Sequence, residues 1–143
     1  MASNLDSTIQ QFVNQSEEER VAQAKNATKE IGIYLSSCGF TKKEALYFYL
    51  NLVRLFVSAD NKCGETEYIL FKKVLDVEIS FDTFFELTNG GATEEFIEAM
   101  DRIIDQMKYE TKLMVCILGL TIICSDGVVT QAERELLTKI AEN

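Results

Sequence analysis

Cys124-Ser125-Asp126-Gly127-Val128-Val129-Thr130-Gln131-Ala132-Glu133 stands between a long apolar run and a charged final segment. Asp126 and Gly127 can end a helix, because Gly takes positive φ at no steric cost. Thr130 and Glu133 have the T-x-x-E spacing of a capping box, which starts the next helix. The stretch therefore predicts a helix-turn-helix elbow. Upstream, about 110–125 forms an apolar helix holding Leu113, Val115, Cys116, Leu118, Leu120 and Ile123. Its uninterrupted apolar run is about a dozen residues, short of the roughly 20 that span a bilayer, so it reads as a buried core helix with no membrane span. Downstream, 131–142 forms a helix that buries Leu136, Leu137 and Ile140.

The same signals recur toward the N-terminus. Ser16 with Glu19, and Thr41 with Glu44, repeat the capping-box spacing, and Glu17 to Glu19 place negative charge where the helix dipole favours it. The first starts a helix to about residue 37 with one apolar stripe, Val21, Ala24, Ala27, Ile31 and Leu35, extending toward Cys38. The second starts a helix apolar nearly all round, from Ala45 to Val57, which must be central and covered on several sides. Shorter helices follow at 65–75, with Ile69, Leu70 and Val74 on its apolar side, and after Ser80, with Phe81, Phe84 and Phe85. Thr93 opens another, with Phe96, Met100, Ile104 and Met107 as its stripe. The first 15 residues carry Leu5, Ile9, Phe12 and Val13 and read as an amphipathic turn or two that frays, as chain ends commonly do.

Shifting the chain by 66 residues places Glu44 on Glu110, Leu52 on Leu118, Asp60 on Asp126, Glu67 on Glu133, Leu70 on Leu136 and Lys73 on Lys139. Each unit, about 41–75 and 107–141, is a long buried helix, an elbow carrying Asp and a shorter helix carrying Glu. One such pair cannot bury an all-round apolar helix, whereas two packed together can. The expected fold is all-α: a single domain over 1–143 of about seven helices, with a pseudo-twofold repeat of helix pairs around two buried central helices.

At 143 residues the chain is long enough to bury a real core. A 47% hydrophobic fraction excludes disorder, and with no proline long helices are unbroken. The net charge of −9 arises from acidic residues found along the whole chain and argues against nucleic acid, which needs a basic stripe; Lys42-Lys43 and Lys72-Lys73 are isolated pairs. The four cysteines show no C-x-x-C and there is no histidine, so structural zinc is not expected. Cys116 and Cys124 read as small buried hydrophobes and Cys63 as an exposed loop thiol. Nothing in the opening residues resembles a secretion signal, and a reducing cytoplasm is the expected location.

Val57-Ser58-Ala59-Asp60-Asn61 with Glu67, and Cys124-Ser125-Asp126-Gly127-Val128-Val129-Thr130 with Glu133, resemble the TerB-like family of tellurite-resistance-associated domains, also found attached to DnaJ-type co-chaperones. In the first copy Asn61 and Lys62 replace the usual Gly-x. The resemblance implies an all-helical domain in a bacterial stress-response setting, and a divalent cation held by Asp60, Glu67, Asp126 and Glu133, whose carboxylates suit a hard ion. The competing local reading is structural: Glu133 caps with Thr130, Asp126 belongs to the turn, and Glu67 lies in a first turn. An EF-hand is not expected, since Ile122 and Cys124 stand where its first carboxylate ligands belong. With no histidine, phosphate loop or nucleophile elbow, no catalytic residue and no tight cofactor are expected. The functional expectation is a non-enzymatic interaction or regulatory module binding a protein partner through an acidic surface. The alternative is a protein that senses or sequesters divalent metal through the elbow carboxylates.

Overall fold

The computed structural model describes the backbone of residues 2–60, 64–91, 93–124 and 128–142, with side chains at all of these except 2–4, 59, 60 and 142. Every regular element among them is helical: α1 (Ala2–Asn14), α2 (Glu17–Ser37), α3 (Lys42–Asp60), α4 (Glu65–Leu75), α5 (Phe81–Thr88), α6 (Glu94–Ile104), α7 (Tyr109–Ile123) and α8 (Gln131–Glu142). The chain is all-α, as its periodicity demands. The count exceeds the seven expected because the N-terminal segment is a formed helix. Its Leu5, Ile9 and Phe12 fall on one face and are buried against α7 and α8. Arg20 ties down its end, since Nε donates to the Phe12 carbonyl at 3.0 Å and a terminal nitrogen donates to the Val13 carbonyl at 3.3 Å. The Phe12 carbonyl also accepts from Gln15 N at 3.2 Å, so the last turn of α1 is closed by backbone and side chain together.

The helix boundaries follow from local chemistry. Ser16 Oγ accepts from Glu19 N at 3.2 Å while Glu19 Oε1 accepts from Ser16 N at 2.9 Å, a complete capping box. Thr41 and Glu44 repeat it at the start of α3. α2 ends where Gly39 takes φ 92°, with Gly39 N donating to the Ser36 carbonyl and Phe40 N to the Leu35 carbonyl. This is a Schellman stop, and it turns Cys38 outward: the thiol that extends the buried stripe in sequence is exposed. Ser80 and Thr93 cap α5 and α6 by accepting from Thr83 N and Phe96 N.

α3 and α7 are the central pair. Phe56 is fully buried, and its ring lies on α7 at Gly119, where an added Cβ would stand 2.2 Å from the ring. Glycine at that point sets how closely the two helices approach. Around them α2 packs chiefly on α7, and α5 packs on α3. Each shorter helix of the 66-residue units crosses to the other unit's central helix, α4 onto α7 and α8 onto α3, while α8 also packs on α7. An aromatic cluster, Tyr68, Phe71, Phe81 and Phe84, joins α4 to α5 with ring centroids 5.3 Å apart for Phe71 and Phe84. Arg54 holds the connection between α5 and α6, donating from Nε to the Gly91 carbonyl at 2.8 Å with its guanidinium 4.1 Å from the centre of the Phe96 ring. No helix among the described residues is long and apolar enough to cross a membrane.

Candidate functional site

Glu67 and Glu133 occupy the same place in the two elbows, the third residue of the shorter helix. Before α4 the N-cap is Gly64, which has no side chain to offer, and Glu67 Oε1 accepts from Gly64 N at 2.8 Å. Before α8 the box is complete: Glu133 Oε1 accepts from Thr130 N at 2.8 Å and Thr130 Oγ1 accepts from Glu133 N at 3.2 Å. The capping reading holds for Glu133, and it extends to Glu67, where the sequence shows no cap because glycine supplies only its backbone.

Burial separates these glutamates from the other capping ones. Glu19 and Glu44 are exposed, and accepting from backbone N–H groups holds their carboxyls below the usual range. Glu67 is 9% exposed and Glu133 is 0% exposed. Capping uses only one oxygen of Glu133. Among the described residues its Oε2, which is buried, has no hydrogen-bond partner. A buried carboxylate oxygen without a partner costs on the order of 1–3 kcal/mol or more, so this atom stands out among the described residues.

The four expected carboxylates are not shown to converge. Asp126 and the side chain of Asp60 lie outside the described residues, as does Cys63. Glu67 and Glu133 share no hydrogen bond, and α4 and α8 are not close packing neighbours. Among the described residues no group of three or more Asp, Glu or Cys is placed to hold a metal ion. Ile122 and Cys124, at the would-be calcium-ligand positions, are both fully buried.

Two surface hollows escape a reading of the sequence by motif. A crevice between α2 and α3 opens into two adjoining basins of about 200 and 260 Å³ that share Lys42 and Ala45. A third cavity of about 230 Å³ lies where the end of α2 meets α6, lined by Tyr34, Cys38 and Arg102. There burial, and then the neighbouring Cys38 thiol, raise the Tyr34 hydroxyl above its ordinary pKa. The aromatic run 47–49 reads in sequence as core, and Phe48 and Tyr49 are buried while Tyr47 is exposed. A helix-interior glycine at Gly32 facing Tyr49 is the one sequence signal that could have marked the crevice. Compared with family models, curated proteins and solved structures, the chain finds no match in any of the three.

Proposed function

We propose that the chain is a non-enzymatic, TerB-like interaction or regulatory module that acts in a bacterial stress response and binds a basic protein partner through an acidic face. One observation carries the reading. Residues 74–101 contain eight Asp and Glu residues and no Lys or Arg, so the acidic excess is far more concentrated than its spread along the chain suggests. Asp82, Glu86, Glu94, Glu95 and Glu98 are exposed there on α5 and α6, and Phe85, 37% exposed, lies on α5 with Asp82 and Glu86. An exposed aromatic on a helix that also carries exposed carboxylates suits a basic amphipathic segment, which steering by unlike charge would bring on quickly. The same potential disfavours a nucleic-acid backbone. The packing of α4 on α7 and of α8 on α3 supports reading the two 66-residue units as related helix pairs.

Titration with a helical peptide of alternating Lys and Leu faces tests the docking face. It should bind in a salt-sensitive manner, and Asp82→Lys with Glu86→Lys should weaken it by about tenfold or more. Binding that is indifferent to both salt and these substitutions would reject the acidic face.

A second reading rests on Glu133 Oε2. A buried carboxylate oxygen with no hydrogen-bond partner among the described residues is the arrangement a divalent cation relieves, with Asp126, Asp60 and Glu67 as the further ligands this reading calls for. Calorimetric titration with calcium, magnesium, manganese and zinc tests it. If no cation binds below millimolar concentration, or if Asp126→Asn plus Glu133→Gln leaves binding unchanged, the elbow carboxylates are not a metal site.

A further inference from the structure

The crevice between α2 and α3 has chemistry of its own, independent of the acidic face. Its first basin is walled by Ala45, Leu46, Tyr49, Leu75 and Val77. The hydroxyls that reach it are engaged within the protein: Thr28 Oγ1 donates to the Ala24 carbonyl at 2.9 Å and the Tyr49 hydroxyl donates to the Thr28 carbonyl at 2.9 Å. The second basin continues past Gly32 and Phe40, and Thr41 at its edge is held in its box with Glu44. Small residues keep the trough open. A side chain at Gly32 would begin 3.3 Å from the Tyr49 hydroxyl.

Lys42 lines both basins, is exposed and makes no ion pair within the described residues. The first basin's hydroxyls donate their protons within the protein, so its mainly apolar walls favour an apolar body, and the crevice's one charged lining residue is a cation. From Thr28 to Ser36 the α2 wall runs about 12 Å, from the helical rise per residue, which is the reach of a medium-chain acyl tail. The chain's overall negative charge does not forbid an anion there, since charges beyond about 8 Å are screened at physiological salt. Glu44, the nearest carboxylate in sequence, is turned to the Thr41 backbone.

We propose that this crevice binds a free medium-chain monocarboxylate, its tail between Ala45, Leu46 and Val77 and its carboxylate on Lys42, with the Ser36 hydroxyl as a second donor. Lys42 is a specificity residue here, and the tail supplies most of the affinity, because an exposed ion pair contributes a factor of about five at most.

Decanoate, decanol and decyltrimethylammonium, titrated separately into the full chain below their micelle concentrations, provide the test, read by methyl NMR. Decanoate should give saturable shifts at Ala45, Leu46 and Val77 and bind about threefold to fivefold tighter than the other two. Lys42→Glu should invert the preference toward decyltrimethylammonium, and Ala45→Phe should abolish all three. Should Ala45→Phe unfold the chain, Lys42→Glu at its exposed position carries the test. The proposal is overturned by an absence of saturable shifts, by a preference that Lys42→Glu leaves unchanged, or by Lys42-dependent binding to phosphatidylglycerol vesicles without any response to decanoate.

Discussion

Gly119→Ala isolates the contact on which the two central helices turn. In an unencumbered helix the substitution would stabilise by about 1 kcal/mol, since alanine is the better helix former. Here the new Cβ would lie 2.2, 2.4 and 2.6 Å from three atoms of the Phe56 ring. Ordinary carbon contacts are about 3.5–4.0 Å, so the ring or the helix must move by more than an ångström. Phe56 is 0% exposed and has no solvent side to move toward. Overpacking of a filled core costs about 1–3 kcal/mol and occasionally more, and the triple contact places this site at the upper end. Set against the propensity gain, the net loss is about 2 kcal/mol, a fall in Tm of about 6–8 °C for a domain of this size. Thermal and urea unfolding followed by circular dichroism would measure it, with an unchanged m value. Adding Phe56→Leu should return part of the loss, with a coupling of about 1–2 kcal/mol between the two sites. Gly32→Ala is the internal control, because its single close contact is a hydroxyl at 3.3 Å. A Gly119→Ala chain that melts at or above the parent temperature would refute the close approach of α3 and α7.

Other consequences are open to direct measurement. Burial pushes the Tyr49 hydroxyl up to about 12. Its contribution is therefore complete below the unfolded tyrosine value of about 10 and is lost as pH rises toward 12, the unfolded state ionising first. Tyr49→Phe should flatten that alkaline fall in Tm while costing about 1 kcal/mol at neutral pH for the lost bond to Thr28. For Glu19 and Glu44 the shift is downward, so their contribution is present above the ordinary glutamate range and lost as pH falls through the lowered values; the double Gln variant should show a shallower acid limb in a Tm against pH series. In a Cys63→Ser background a thiol reagent should modify Cys38 quickly, and Cys116 and Cys124 only on unfolding, since both are buried and the Cys116 thiol is raised to about 12. Arg54→Lys should destabilise by about 1–2 kcal/mol, because an ammonium cannot keep both the Gly91 bond and the stacking on Phe96; equal unfolding curves would discount the clamp.

Much of the architecture was legible because helix starts are written in neighbouring residues. Ser16 with Glu19, Thr41 with Glu44, Ser80, Thr93, and Thr130 with Glu133 all act on backbone groups within one turn, so spacing alone locates them. The order of α1 was not legible, since it rests on Arg20 gripping Phe12 and on surfaces of α7 and α8 distant in sequence. Cys38 misleads for a related reason. A period of three and four residues cannot register that the helix stops at Gly39 and leaves the Cys38 thiol before it exposed. Lys42 and Ala45 read as an ordinary first turn, and only the packing of α2 and of Leu75 and Val77 makes them the floor of a crevice.

The glutamates of the capping motif show where the boundary falls. Sequence by itself placed Glu19, Glu44 and Glu133 in capping-box register with Ser16, Thr41 and Thr130, because the hydrogen bonds close over three residues. Only the tertiary structure decided that Glu19 and Glu44 face water while Glu133 is sealed in with one oxygen unpartnered among the described residues. Capping is a local bond, whereas burial depends on which helices pack over the cap.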